Sequence, residues 1–98
     1  MHDIQPQDLY NKVLEQLMIN FKSIFLANNQ LAKDWLREDI NRSVIKKPIL
    51  MIPYGGTDFG IVNYLERLGW REPKTQEHYR FLCKHIRLEL NQVSPSCE

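Results

Sequence analysis

Between Leu9 and Phe25 the apolar residues Leu9, Tyr10, Val13, Leu14, Leu17, Met18, Phe21, Ile24 and Phe25 recur at intervals of three and four. With 3.6 residues per turn they fall on one stripe, so this stretch is an amphipathic helix whose apolar face needs a cover. Pro6 suits its first turn, where a missing amide costs no hydrogen bond; the helix is predicted over residues 6–26. The same spacing returns at Leu31, Ala32, Trp35 and Leu36, and again at Phe59, Ile61, Val62, Tyr64, Leu65 and Leu68. A last helix within residues 74–93 carries Tyr79, Leu82, Ile86, Leu90 and Val93, with Arg80, Lys84 and Arg87 on its polar flanks. Stripes that can only be buried against one another predict a mainly α fold, and 98 residues make at most one domain with a modest core.

The punctuation fits that division. Ala27-Asn28-Asn29-Gln30 reads as a break, and Asp39 as the cap of a helix beginning near Ile40. Gly55-Gly56 permits a sharp exit, Thr57 or Asp58 can cap the next helix, and Gly69 terminates it. Trp70-Arg71-Glu72-Pro73 is a connector. Residues 1–5 form an irregular lead and Ser94-Pro95-Ser96-Cys97-Glu98 a frayed tail.

Thirteen Lys and Arg nearly balance twelve Asp and Glu, but not evenly along the chain. Residues 1–39 are net acidic, whereas residues 40–87 hold nine cations against four carboxylates. That excess suits phosphate contacts and equally suits an ordinary solvated face. No apolar run approaches the ~20 residues that span a bilayer, and the start MHDIQPQD lacks the character of a signal peptide. No membrane partner is expected. The compartment implied is the cytoplasm. Cys83 and Cys97 form no disulfide framework and read as reduced and structurally incidental. Zinc held by His78, Cys83, His85 and Cys97 is disfavoured because paired short-spaced ligands are missing, so no metal ligand is assigned.

The stretch Arg42 to Gly60, RSVIKKPILMIPYGGTDFG, carries the chemistry. On a helix, Arg42, Lys46 and Tyr54 lie four and eight residues apart and drift slowly around one face. Lys46 and Tyr54 are then separated by roughly 12 Å along the axis, comparable with the reach from the terminal phosphate of a nucleoside triphosphate to its sugar. Pro48 and Pro53 oppose a continuous helix, each costing about 3 kcal/mol in a helix interior. Propensity alone ends one helix at Ile45 or Lys46 and starts another at Pro48.

The pattern Arg42-x3-Lys46-Lys47-x6-Tyr54-Gly55, followed by Phe59-Gly60, resembles motif B of the single-subunit RNA polymerases of phages, mitochondria and chloroplasts. Asp8-Leu9-Tyr10 and Trp35-Leu36 resemble segments leading to that motif, and the resemblance covers about residues 5–65. It favours one kinked helix across Pro48, within a motif B segment spanning residues 40–60. It implies a helical fragment of the fingers region of a right-hand-type polymerase, a single partial domain over residues 1–98 in which helix 6–26 supports the motif.

By that resemblance Arg42, Lys46 and Tyr54 bind nucleotide. Lys46 is the catalytic candidate, because a cation at the β- and γ-phosphates stabilises the charge that builds on pyrophosphate. Tyr54 would sense the ribose 2′-OH and stack beside the templating pair. Lys47 would contact a phosphate or the DNA backbone, and Gly55 would let backbone approach the template. Leu50 and Met51 stand where the family more often has methionine then threonine. The implied partners are NTP, DNA template and RNA product and, in a split enzyme, the remaining polymerase segments as a separate chain.

Two-metal nucleotidyl transfer needs aspartates from two further motifs. Neither is recognisable here: Asp34, Asp39 and Asp58 lack the matching context, and His2-Asp3 is a chance dipeptide in the wrong order. Mg²⁺ would therefore be bound by parts of the polymerase other than this chain, which is not expected to polymerise alone. It would be one part of a split enzyme, a truncated remnant or an excerpted domain. The rival readings are a fingers fragment of a family A DNA polymerase, which shares the bare motif, and a small basic helical module that grips nucleic acid or protein.

Overall fold

The computed structural model describes residues 6–93, so His2-Asp3 and Cys97 lie outside the described residues. Five α-helices follow one another: α1 (Pro6–Leu26), α2 (Gln30–Leu36), α3 (Arg42–Met51), α4 (Asp58–Arg67) and α5 (Gln76–Val93). A 3₁₀ turn, Ile52–Tyr54, extends α3. No strand occurs among the described residues, as the repeated helical spacing predicts. No described helix is long and apolar enough to cross a membrane.

α5 is the hub and packs against each of the other four helices. Its Leu82 and Ile86 meet Val13, Leu17 and Phe21 of α1, Ile45 and Ile49 of α3, and Ile61 and Leu65 of α4 in one core. Trp35 of α2 is completely buried in that core, and its indole Nε1 donates to the His78 carbonyl at 2.9 Å. The α1 stripe is buried at Tyr10, Val13, Leu17 and Phe21, whereas Phe25 and Leu26 at its end are exposed. The core cannot reach that last turn: the chain reverses at Asn28, whose φ of 70° turns the following amide, that of Asn29, back toward the Ile24 carbonyl.

Several boundaries differ from expectation for local reasons. The cap of α3 is Asn41, not Asp39; its side chain accepts from the Ser43 amide at 2.9 Å. Thr57 caps α4, accepting from the Gly60 amide. That helix ends when Leu68 turns extended (ψ 150°), one residue before Gly69. α5 begins at Gln76 because the Thr75 hydroxyl accepts from the His78 amide. Phe59, read as part of an apolar stripe, is 77% exposed.

Glu89 of α5 is buried against α1, where Asn20 Nδ2 donates to it. Burial pushes its carboxyl above the ordinary glutamate value. A carboxyl raised by folding takes up its proton more readily folded than unfolded, so its contribution to stability falls as pH rises from the unfolded to the folded value. Glu89→Gln should therefore raise the melting temperature at pH 7 and remove part of the decline as pH rises above the ordinary glutamate value of 4.5. An unchanged pH profile of thermal melts would rule this out.

Candidate nucleotide-binding cleft

α3 runs unbroken through Pro48. The ring removes the bond that position 48 would give the Val44 carbonyl, but it is fully buried in the core, and that burial offsets the loss. Pro53 is absorbed differently, in the first residues of the 3₁₀ turn, where no α-helical bond is required. The segment is thus one rod with a tightened end, as the polymerase resemblance favoured over the split expected from propensity.

The glycine pair closes the rod. Gly55 has φ 81°, and its amide donates to the Ile52 carbonyl at 3.1 Å while the Gly56 amide donates to the Met51 carbonyl at 2.8 Å. These two bonds satisfy the Met51 and Ile52 carbonyls near the end of the rod, with the left-handed residue where helix ends most favour glycine. Arg87 of α5 fixes the turn from outside: Nη2 donates to the Gly56 carbonyl and Nε to Asp58 Oδ1, both at 2.6 Å. Cys83 also donates to Asp58 Oδ1, at 3.5 Å. Burial first, and the Asp58 charge beside it, push the Cys83 thiol up to about 11, so it stays protonated and unreactive at neutral pH.

Against this rod lies a cleft of about 530 Å³ lined by Lys46, Lys47, Leu50, Met51 and Tyr54, with Ser43 and with Tyr64 of α4. Lys46 and Tyr54 therefore face one volume. Tyr54 is 89% exposed. Lys47 Nζ stands 5.9 Å from the Tyr64 ring centroid, and the Tyr64 hydroxyl donates to the Ser43 carbonyl at 3.1 Å, pinning α4 to the start of α3. Burial pushes the Tyr64 phenol above its ordinary value. Arg42 is exposed one turn before Lys46 and does not line the cleft; Gly55 is exposed beyond the other end, with open space where a Cβ would stand. Tyr64 was counted in the sequence only as part of an apolar stripe. Its polar tip one turn before Leu68 is the sole local hint of its place at the cleft wall.

The carboxylates do not converge on a metal. Asp34 sits on His78 Nε2 at 2.7 Å, a bond that with one from Gln30 holds its carboxyl below the usual range. Asp58 is taken by Arg87 and Glu38 by Lys74. No group of three metal-capable side chains gathers among the described residues. His85 is wedged against Phe21 and Phe81, not near Cys83 in a ligand set.

A family model described as DNA-dependent RNA polymerase matches residues 1–95. The chain belongs to the DNA-dependent RNA polymerase family. This is the single-subunit family that the residues from Arg42 to Gly60 resemble, and it displaces the family A DNA polymerase alternative. No curated protein and no solved structure matches the chain. Within an RNA polymerase, the exposed cleft with cations along one wall and Tyr54 on the rod between Leu50 and the glycine turn is chemically suited to a ligand carrying both negative charge and a flat, hydrogen-bonding part. The polymerase family generally uses Mg²⁺, but Asp34, Glu38 and Asp58 are engaged by His78, Lys74 and Arg87, and no described group of carboxylates gathers into a two-metal centre.

Proposed function

We propose that this chain is the motif B segment of the fingers of a single-subunit RNA polymerase, and that the Lys46–Tyr54 cleft receives the incoming NTP. The observation that carries the reading is that Lys46, Lys47 and Tyr54 line one volume along a single rod formed by α3 and its 3₁₀ turn. The triphosphate lies toward Lys46, with Arg42 able to reach its outer oxygens from the preceding turn. The sugar and base lie toward Tyr54. Lys46 stabilises charge developing on the departing pyrophosphate and can donate a proton to it. Lys47 and Gly55 face the template strand. NTP, DNA template and RNA product are partners of the enzyme to which the segment belongs. The metal-holding aspartates come from other parts of that enzyme, so this polypeptide alone does not polymerise.

Calorimetric titration of the full chain with ATP, ADP and AMP tests the reading. Charge-assisted phosphate contacts predict that Lys46→Ala and Arg42→Ala each weaken ATP about five- to tenfold while changing AMP by less than about twofold. Equal loss for all three nucleotides, or loss spread over many unrelated Lys and Arg residues with a steep salt dependence, would instead identify a basic module with no nucleotide site.

A further inference from the structure

Tyr54 is the last residue of the 3₁₀ turn and is exposed, so few neighbours hold its side chain and the backbone that carries it sets its direction. That backbone runs directly into Gly55-Gly56, two residues without side chains that allow many paths between the rod and α4. The amide bonds from Gly55 to Ile52 and from Gly56 to Met51 select one path, but bonds at a helix end open readily. We propose that Arg87 of α5 is a positioning residue for Tyr54: by holding the glycine turn closed it fixes where the tyrosine stands at the cleft.

The guanidinium reaches both sides of Thr57. Nη2 donates to the Gly56 carbonyl, which is backbone of the turn itself, and Nε donates to Asp58 Oδ1, in the first turn of α4. α4 carries Tyr64 on the cleft wall, so one rigid plane ties the end of the rod to the helix that walls the cleft. The Cys83 thiol, one turn earlier on α5, adds a third tie to Asp58 Oδ1. α5 is a firm base for this grip, because Cys83, Ile86 and Leu90 around Arg87 are buried in the core. A planar fork holds two acceptors in one geometry, whereas a lysine ammonium on a flexible stem does not.

The contribution is to geometry more than to the stability of the core. The Asp58 side chain is 73% exposed and that of Arg87 34%, and ion pairs so open to water add little to folding. What the two bonds restrain is the segment that leaves Tyr54. Arg87 touches no nucleotide on this view and acts only through the tyrosine.

The inference rests on the proposed nucleotide reading for what Tyr54 contacts, but not for the grip on the turn, and two measurements on the full chain separate them. The first is hydrogen exchange of the Gly56 amide, with the Leu17 amide in the core of α1 as reference. Arg87→Met should speed exchange at Gly56 by more than about tenfold relative to Leu17, and Arg87→Lys should fall between it and the wild type. The second is calorimetric titration with ATP and with inorganic triphosphate, which lacks the sugar and base that lie toward Tyr54. Arg87→Met should weaken ATP about fivefold, the worth of one well-placed contact, and inorganic triphosphate less than about twofold. In a Tyr54→Ala background the same substitution should change ATP less than about twofold, because the residue through which it acts is gone. Arg80→Met, which removes an exposed cation from the same helix, should alter neither measurement by more than about twofold. Exchange at Gly56 that rises only in step with Leu17, equal weakening of both ligands, or an undiminished loss in the Tyr54→Ala background would overturn the proposal. If Lys46→Ala and Tyr54→Ala leave ATP untouched while Arg87→Met still frees the Gly56 amide, the grip on the turn stands and the NTP reading falls.

Discussion

Glu38→Ala should cost about 3–5 kcal/mol, the usual penalty for stripping the partner from a buried charge. The Lys74 and Glu38 side chains are only 1% and 3% exposed, and Nζ lies 2.5 Å from Oε2. The carboxylate also accepts from the Arg71 amide at 2.9 Å and the Glu72 amide at 3.2 Å, and the ammonium donates to the Glu72 carbonyl at 2.9 Å. Lys74 Nζ further stands 5.5 Å from the centroid of the Trp35 ring. Removing the carboxylate leaves an ammonium beneath Trp35 without its counter-charge and releases the connector that carries Trp70 and Arg71. Against a total stability of about 5–15 kcal/mol, such a loss should lower the melting temperature by more than about 10 °C.

The same pair contributes to the acid sensitivity of the fold. Burial alone would raise the Glu38 carboxyl, but Lys74 and the two amides outweigh it and hold the group below the ordinary value of 4.5. A lowered carboxyl gives stability that is complete above the unfolded value and is lost as pH falls through the folded one. Glu38→Gln should therefore flatten the loss of stability below about pH 4.5 as well as lower it at pH 7. Urea titrations followed by circular dichroism at several pH values decide the matter, and an unchanged midpoint at pH 7 would sink it.

Gly56→Ala should cost about 2–3 kcal/mol and Gly55→Ala about half as much, for opposite reasons. A Cβ on Gly56 would stand 2.8 Å from the Met51 carbonyl oxygen and 2.9 Å from its carbonyl carbon. Those are backbone atoms of the rod itself and can withdraw only by opening the 2.8 Å bond that ends it. A Cβ on Gly55 meets open space but must accept φ 81°. Gly55→Asn should consequently be milder than Gly55→Ala, whereas Gly56→Asn should be no milder than Gly56→Ala. Thermal melts of the four variants give the ranking; a Gly55→Ala variant less stable than Gly56→Ala would contradict the geometry. Because the turn follows Tyr54 directly, Gly56→Ala should also disturb ATP binding beyond its effect on stability.

Much of the local architecture was legible because it depends on near neighbours. The three-and-four spacing predicted four stripes, and Asn28, Thr57 and the glycine pair marked turns that recur where expected. Pro48 was not resolvable by propensity, which charges the lost hydrogen bond but cannot see that the ring will be buried at the core side of α3. Reading Asp39 as the cap missed Asn41, since both residue types can accept from an amide and only the path of the chain selects one.

By itself the sequence determined four of the five helices, most of their apolar faces and the spacing of Arg42, Lys46 and Tyr54, since each follows from the pitch of a helix and the chemistry of a few adjacent side chains. Tertiary structure alone decided that Glu38 meets Lys74, 36 residues away, that Arg87 grips the glycine turn 31 residues before it, and that Tyr64 walls the cleft opposite Lys47. The reason is physical: a polar residue's partner across a helix interface is set by how the apolar faces pack, and no periodicity along one helix encodes the position of the next.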